Sequence, residues 1–185
     1  MLGIALYVTR AGNILANRPV FVVLNVLVNI VRPIPFIIFI TAVRPLTQAL
    51  TGASYGVEAA IPALAIMATF ATSRIVEQNL VALDPGVVEA ARAMGAGPLR
   101  IIATVIVPET LGPLILGFTF LFVGIVDMTA VAGAIGAGGL GDFAIVYGYQ
   151  RFNDVVTWTA VAVIVVMVQL AQLLGNFLAR KVLRR

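Results

Sequence analysis

The chain has 185 residues, 61% of them hydrophobic and 11% charged, with a formal net charge of +4. About a quarter of an average soluble domain is charged, so a water-soluble fold is excluded; so is nucleic-acid binding, because the basic residues are scattered or terminal and form no stripe interleaved with aromatics. Cysteine and histidine are absent, which removes disulfides, imidazole metal sites and Ser-His or Cys-His triads, and no catalytic or metal site is expected.

Crossing a hydrocarbon layer of about 30 Å takes roughly 20 helical residues, so helices are the expected spans. Leu2 to Val8 are apolar but too few to cross, and no basic segment precedes them; they read as the last two turns of a truncated N-terminal span, not as a signal peptide. Asn13, Asn17, Arg18 and Pro19 form a polar connector. Span A follows from Val20 to Val43 and should kink or open where Arg32 meets Pro33 and Pro35, because each proline removes a helical hydrogen bond. Arg44 to Ser54 reads as a short loop, and Tyr55 to Thr72 as span B with Pro62 inside it.

Ser73 to Glu109 holds seven charges in 37 residues and reads as a water-exposed segment. Gly112 to about Gly133 forms span C, apolar except for Asp127. Ile135 to Asp154 is rich in glycine and tyrosine, and within it Gly136 to Gly141 reads either as a flexible turn or as a loop lining the outer mouth; Val155 to Ala179 then gives span D, 25 residues without a charge, with Trp158 placed to anchor at an interface. The expected fold is all-α: a polytopic membrane bundle of four complete transmembrane helices plus the N-terminal remnant, in a single domain covering residues 1–185.

Arg180, Lys181, Arg184 and Arg185 close the chain, and the positive-inside rule places them in the cytoplasm. Arg10, Arg18, Arg74, Arg92 and Arg100 then fall on the same side, against only Arg44 and Arg151 outside. That orientation makes the segment 73–109 cytoplasmic.

Inside that segment Asp84-Pro85-Gly86 is a helix start, with Asp84 as cap and Pro85 at the first helical position. A helix should run from Pro85 to about Met94, with Val87, Ala90, Ala91 and Met94 on one face. Gly95 can take the left-handed conformation that ends it, and Pro98 can open a second short helix that stops before Pro108. The product is a small-faced helical knob fit for a cleft in another protein.

Glu89-Ala90-Ala91, three residues, Gly95, nine residues and Val105-Ile106-Val107-Pro108 together resemble the EAA signature of ABC importer permeases, with valines at the last apolar positions in place of the usual isoleucine and leucine. The resemblance implies a type I importer permease fold and a coupling helix that docks on a separate ATPase subunit, with Glu89, Ala90, Ala91, Arg92, Gly95 and Pro108 as the coupling residues. It also implies a homodimer with the pathway on its two-fold axis, two ATPase subunits below and a substrate-binding protein above, in the bacterial inner membrane. ATP and Mg would bind the partner: the only lysine, Lys181, is far from any glycine-rich phosphate loop, so this chain has no nucleotide site or other cofactor of its own.

Gly136-Ala-Gly-Gly-Leu-Gly141 matches the dinucleotide fingerprint in form, but that motif needs a strand before it and a helix after it. Here it follows a span, and Gly136, Gly138, Gly139 and Gly141 read as an outer loop. The longer stretch Ala130 to Asp142, followed by Tyr147-Gly-Tyr-Gln-Arg-Phe-Asn153, resembles the methionine-uptake branch of these permeases. Asp127, the one acid at membrane depth, reads either as a pathway carboxylate beside Met128 and Thr129 at an outer gate, or as a structural partner of a cation such as Arg32. Competing readings are a permease for a quaternary amine such as glycine betaine, an ion-coupled secondary carrier that needs no ATPase, and a membrane scaffold.

Overall fold

The computed structural model describes residues 1–183 and is helical nearly throughout, with no strand among those residues. Arg184 and Arg185, half of the terminal basic group, lie outside the described residues. The elements are α1 (Leu2–Thr9), α2 (Arg18–Val31), α3 (Phe36–Ala42), α4 (Arg44–Thr51), α5 (Gly56–Val81), α6 (Pro85–Ala93), α7 (Pro98–Ile101), α8 (Val107–Ala132), α9 (Gly139–Asp142) and α10 (Asp154–Leu183).

Three helical stretches, Gly56–Val81, Pro98–Ala137 and Asp154–Leu183, are long and apolar enough to cross a membrane, and α2 with α3 makes a fourth if the broken pair counts as one span. The break falls at Arg32 to Pro35, where the two prolines were expected to open span A. Proline also lies inside α5 at Pro62 and inside α8 at Pro113, where each ring frees the carbonyl four residues back, of Glu58 and Glu109, without ending the helix.

Four boundaries differ from the sequence reading. Arg44 to Ser54 is mostly helix, not loop: Pro45 opens α4, the Thr47 hydroxyl donates to the Arg44 carbonyl at 2.9 Å, and Gly52 closes it at φ +76°. Span B runs on to Val81, because Glu77 and Ser73 are buried and the Ser73 hydroxyl donates to its own helix, at the Phe70 carbonyl 2.7 Å away. The helix begun at Pro98 does not stop before Pro108. It widens into a π turn over Ile102–Ile106 and joins α8, so Pro108 falls in the first turn of that helix, where its missing N–H costs nothing. The segment 135–154, within which Gly136 to Gly141 is expected to form a flexible turn or an outer-mouth loop, is a chain of tight turns: a kink at Ile135 and Gly136, then α9, π over Phe143–Gly148 and 3-10 over Tyr149–Arg151.

The chain divides into two compact units, each made of segments from several spans. The first comprises residues 1–32, 69–119 and 174–185. Its core joins Tyr7 and Val8 of α1, Leu80 of α5, Val88 and Ala91 of α6, Ile101 of α7 and Ile106 of the π turn. Gly3 brings α1 against α5, since a Cβ there would meet the Ser73 carbonyl and the Val76 side chain. Arg74 bonds Glu77 at 2.6 Å and reaches Asn25 Oδ1 of α2 at 3.4 Å, and Glu77 is only 4% exposed. This is the one ion pair among the described residues, and composition gave no hint of it because three ordinary polar residues 49 or more positions apart in part carry it. In the same unit Gly175 of α10 admits the Thr119 side chain of α8, and Gly112 admits Leu183.

The second unit comprises residues 33–68 and 120–173. Here Gly141 lies on the backbone of Ala130, and Gly133 lies against the Gly138 carbonyl and the Asp142 amide, so the end of α8 and α9 touch main chain to main chain. Gly148 sits in the same way on Thr157 of α10. Arg44 stacks over Tyr55 at 4.5 Å and Arg151 over Tyr147 at 4.7 Å, two cation–π pairs. Trp158 is largely exposed, as an interface anchor should be.

Because the atoms opposing Gly141 are backbone, they cannot yield by a rotamer change. Gly141→Ala is expected to destabilise the chain by about 1–3 kcal/mol, the usual range for overpacking, read as a fall of roughly 2–10 °C in detergent melting temperature. Gly124→Ala, which adds a methyl where nothing lies within 4 Å, should leave the melting temperature unchanged.

Candidate functional site

The helix expected at Pro85 forms as α6, Pro85–Ala93, and both of its ends are secured by the residues expected to secure them. Asp84 Oδ1 accepts the Gly86 N–H at 2.8 Å, and Pro85 sits where a missing N–H is harmless. At the other end Gly95 adopts φ +78°. The Ala96 N–H donates to the Ala91 carbonyl at 3.1 Å and the Gly95 N–H to the Arg92 carbonyl at 2.9 Å. Those two bonds make a Schellman stop, and Ala96 completes it by packing beside Ala91 on the core cluster.

The face that packs inward carries Val88 and Ala91, so the apolar stripe Val87, Ala90, Ala91 and Met94 is divided and only Ala91 of it is buried. Val88 and Ala91 are the buried pair, while Ala90 is exposed and Met94 is 81% exposed. The alternative stripe Val87, Ala90, Ala91, Met94 is equally apolar, and hydrophobic pattern alone cannot separate two stripes that overlap on so short a helix; the cluster of Tyr7, Leu80, Ile101 and Ile106 beneath it decides. Burying Val88 contributes about 1.5–3 kcal/mol, enough to hold two and a half turns of helix that could not stand alone.

The expected coupling residues therefore separate by role. Glu89, Ala90 and Arg92 are exposed on α6, joined on the surface by Ala93, Met94 and Leu99, the last 79% exposed. Ala91 is buried beneath them and packs the knob onto its own spans. Gly95 is exposed, and an added Cβ there would meet nothing within 4 Å, so what the position demands is a left-handed backbone, not space. Pro108 lies apart from the knob, at the start of α8. A polar groove of about 210 Å³ beside α6 is lined by Tyr7, Arg10, Asn13, Glu89 and Arg92 among others, and the Arg92 guanidinium lies within electrostatic reach of the Tyr7 phenol.

Of the gate candidates, Thr129 lines a cavity of about 140 Å³ together with Gly138, Gly139, Gly141, Ile164 and Met167. The structure thus brings Thr129 to three of the four outer-loop glycines and leaves Asp127 and Met128 outside that cavity; Gly136, at φ +102°, also stands apart from it. Asp127 is exposed and Met128 half-buried. Neither Asp127 nor Arg32 takes part in an ion pair among the described residues. The glycine run lacks any preceding strand there, so the dinucleotide fold context is missing.

The family model described as "Binding-protein-dependent transport system inner membrane component" matches residues 2–185. The chain is 39% identical over 181 residues to the probable D-methionine transport system permease protein MetI of Vibrio cholerae, covering 98% of this chain and 80% of that protein. It is 40% identical over 180 residues to the methionine import system permease protein MetP of Bacillus subtilis, covering 97% and 81%. A solved structure of the MetNI methionine ABC transporter in an inward-facing conformation superposes with a TM-score of 0.94 at 40% identity, over 98% of this chain and 84% of that one.

Asp84→Ala removes the only side-chain cap of α6 and should weaken that helix by about 0.5–2 kcal/mol. The expected readout is faster amide hydrogen exchange confined to residues 86–93, with the amides of α8 and α10 unchanged; uniform acceleration throughout the chain would show that the cap does not act locally.

Proposed function

We propose, from the premise that the chain belongs to the binding-protein-dependent transport system inner membrane component family, that it is the membrane-spanning permease subunit of an ATP-driven importer of methionine. It is a multi-pass protein of the bacterial inner membrane and no enzyme by itself. Two copies, each docked on an ATPase subunit that binds ATP and Mg, enclose one pathway that receives its cargo from a substrate-binding protein on the outer side. The observation that carries this reading is a helical knob whose outer surface is exposed while its inner surface is fastened to the spans.

The mechanism needs no bond making or breaking in this chain. ATP binding draws the two ATPase subunits together; the α6 knobs follow, and because Val88 and Ala91 are seated against α1, α5 and the π turn, the spans move with them. Direction comes from the difference in ATP affinity between the two arrangements, since a ligand shifts an equilibrium only by its differential affinity. Glu89, Ala90 and Arg92 contact the ATPase groove, Gly95 and Asp84 keep the knob's shape, and Ala91 transmits. The C-terminus and the knob face the cytoplasm, the side favoured by the basic residues. At the outer end, Asp127, Met128 and Thr129 with the glycine loop from Gly136 to Gly141 form the gate region.

Methionine rather than a quaternary amine is favoured by the two relatives named for methionine transport, at 39 and 40% identity over almost the whole chain. In vesicles holding the chain with its ATPase, labelled methionine should accumulate only when ATP and the binding protein are supplied, and labelled glycine betaine should not. Ala90→Trp adds bulk to an exposed site and so spares the fold; it is expected to abolish co-purification of the ATPase and cut uptake at least tenfold while leaving the melting temperature within about 2 °C. Intact uptake with that substitution would remove α6 from the coupling path.

A further inference from the structure

The second unit holds a cavity of about 190 Å³ between α3, α4, the start of α5 and the end of α8, and none of the expected coupling, gate or outer-loop residues lines it. It is smaller than the roughly 300–1,000 Å³ of sites for drug-sized ligands, so what it suits is a small molecule. Its apolar wall comes from residues such as Ile40, Ala60 and Ile135, and its polar lining from Thr41, Arg44, Thr47, Ser54 and Tyr55.

Those polar groups divide into free donors and free acceptors. The Arg44 guanidinium rests over the Tyr55 ring at 4.5 Å and has no carboxylate or hydrogen-bond partner among the described residues. The Ser54 hydroxyl has no partner among them either. By contrast the Thr41 hydroxyl donates to the Ile38 carbonyl at 2.8 Å and the Thr47 hydroxyl to the Arg44 carbonyl at 2.9 Å, which spends both protons and leaves oxygen lone pairs. Two helices also begin at the cavity, α4 with Arg44 and α5 with Gly56, and a helix start carries positive partial charge. Glu58, in the first turn of α5, is exposed and does not line the cavity. The positive field there is therefore unanswered, and stacking on an aromatic ring holds its main source in place.

We propose that this cavity is a receiving site for the transported amino acid. The carboxylate takes the planar fork of Arg44, the geometry that guanidinium matches with two parallel hydrogen bonds, together with the Ser54 hydroxyl. The ammonium donates to the threonine oxygens, and an unbranched apolar side chain lies along Ile40, Ala60 and Ile135. A plain anion would leave the threonine oxygens unused, and a plain cation would meet an uncompensated arginine; a zwitterion with an apolar tail answers every group. The inference rests on the reading of the chain as the permease of an amino-acid importer, and adds a place within this chain where the cargo stops.

The chain contains no cysteine, so one introduced thiol reports one position. Ala137→Cys lies on the half-buried wall of the cavity, and Leu50→Cys is exposed on α4 outside it. Each is placed in the complex with its ATPase, checked for an unchanged melting temperature, and treated in phosphatidylcholine nanodiscs with a charged methanethiosulfonate, without binding protein. Methionine is expected to slow modification of Ala137→Cys and leave Leu50→Cys unaffected. 3-(Methylthio)propylamine, which lacks the carboxylate, should give no protection. Adding Arg44→Gln should raise the protecting concentration of methionine by about tenfold or more, since a charge-assisted pair is lost, and Arg44→Lys, which keeps the charge without the fork, should fall between. Equal protection by the amine, or none by methionine, overturns the assignment. So does protection of Ala137→Cys that appears on adding phosphatidylglycerol and is indifferent to methionine, which marks a lipid phosphate as the occupant. Uptake in vesicles separates the two possible failures: methionine import by a complex whose thiol methionine never protects refutes only this cavity, while protection by methionine in a complex that imports none refutes the importer reading.

Discussion

The seat of α6 is the contact on which the rest of the structure depends. Val88 and Ala91 press into a cluster drawn from α1, α5, α7 and the π turn. A nine-residue helix is too short to persist in water on its own, and without that seat Glu89 and Ala90 would sit on a wandering loop. A push on a loop is dissipated in its dihedrals; a push on a seated helix displaces whatever it is seated on. Close packing makes the seat effective, since an interior at crystal-like density transmits displacement with little compression.

Much of this was legible beforehand, for identifiable reasons. Asp84, Pro85 and Gly95 announce the ends of α6 because each does something to the backbone that few other residues do, and backbone effects are local. Pro33 and Pro35 mark the break in the second span on the same grounds. What escaped prediction depends on partners distant in sequence. The seating of α6 through Val88 is set by Tyr7 and Leu80, and the continuation of α5 past Thr72 by the burial of Glu77 against Arg74 and Asn25. The helical character of Arg44–Thr51 is the exception, since its threonine hydroxyls bond carbonyls only three and four residues back. Charge density suggested a soluble loop from Ser73; in fact the first nine of those residues keep the helix going because their charges neutralise one another.

The candidate sites divide in the same manner. The expected coupling residues form one contiguous region with Pro108 outside it, and the reason for Gly95 is its backbone angle. At the other end of the chain, the glycines read as a flexible turn or an outer loop fold closely against the end of α8. Gly133 and Gly141 let two helical turns touch through their main chains, and the positive dihedrals at Gly136, Gly138 and Gly139 fold the segment back tightly enough to make that contact possible. Thr129 reaches this region, and Asp127 does not share its cavity.

The π turn over Ile102–Ile106 sets the rotational phase of everything after it. An i to i+5 turn accommodates one more residue than a regular turn, and one residue is worth about 100° around a helix axis. Thr110, Leu114 and Leu121 are buried along α8 only because that offset has already been taken up ahead of them. The single oversized turn is thus a vernier between knob and span: it lets Ile101 and Ile106 grip the seat of α6 while the 26-residue helix beyond it presents an independently chosen side to its neighbours, so that insertions or losses of one residue at this place retune a lever without altering either of its ends.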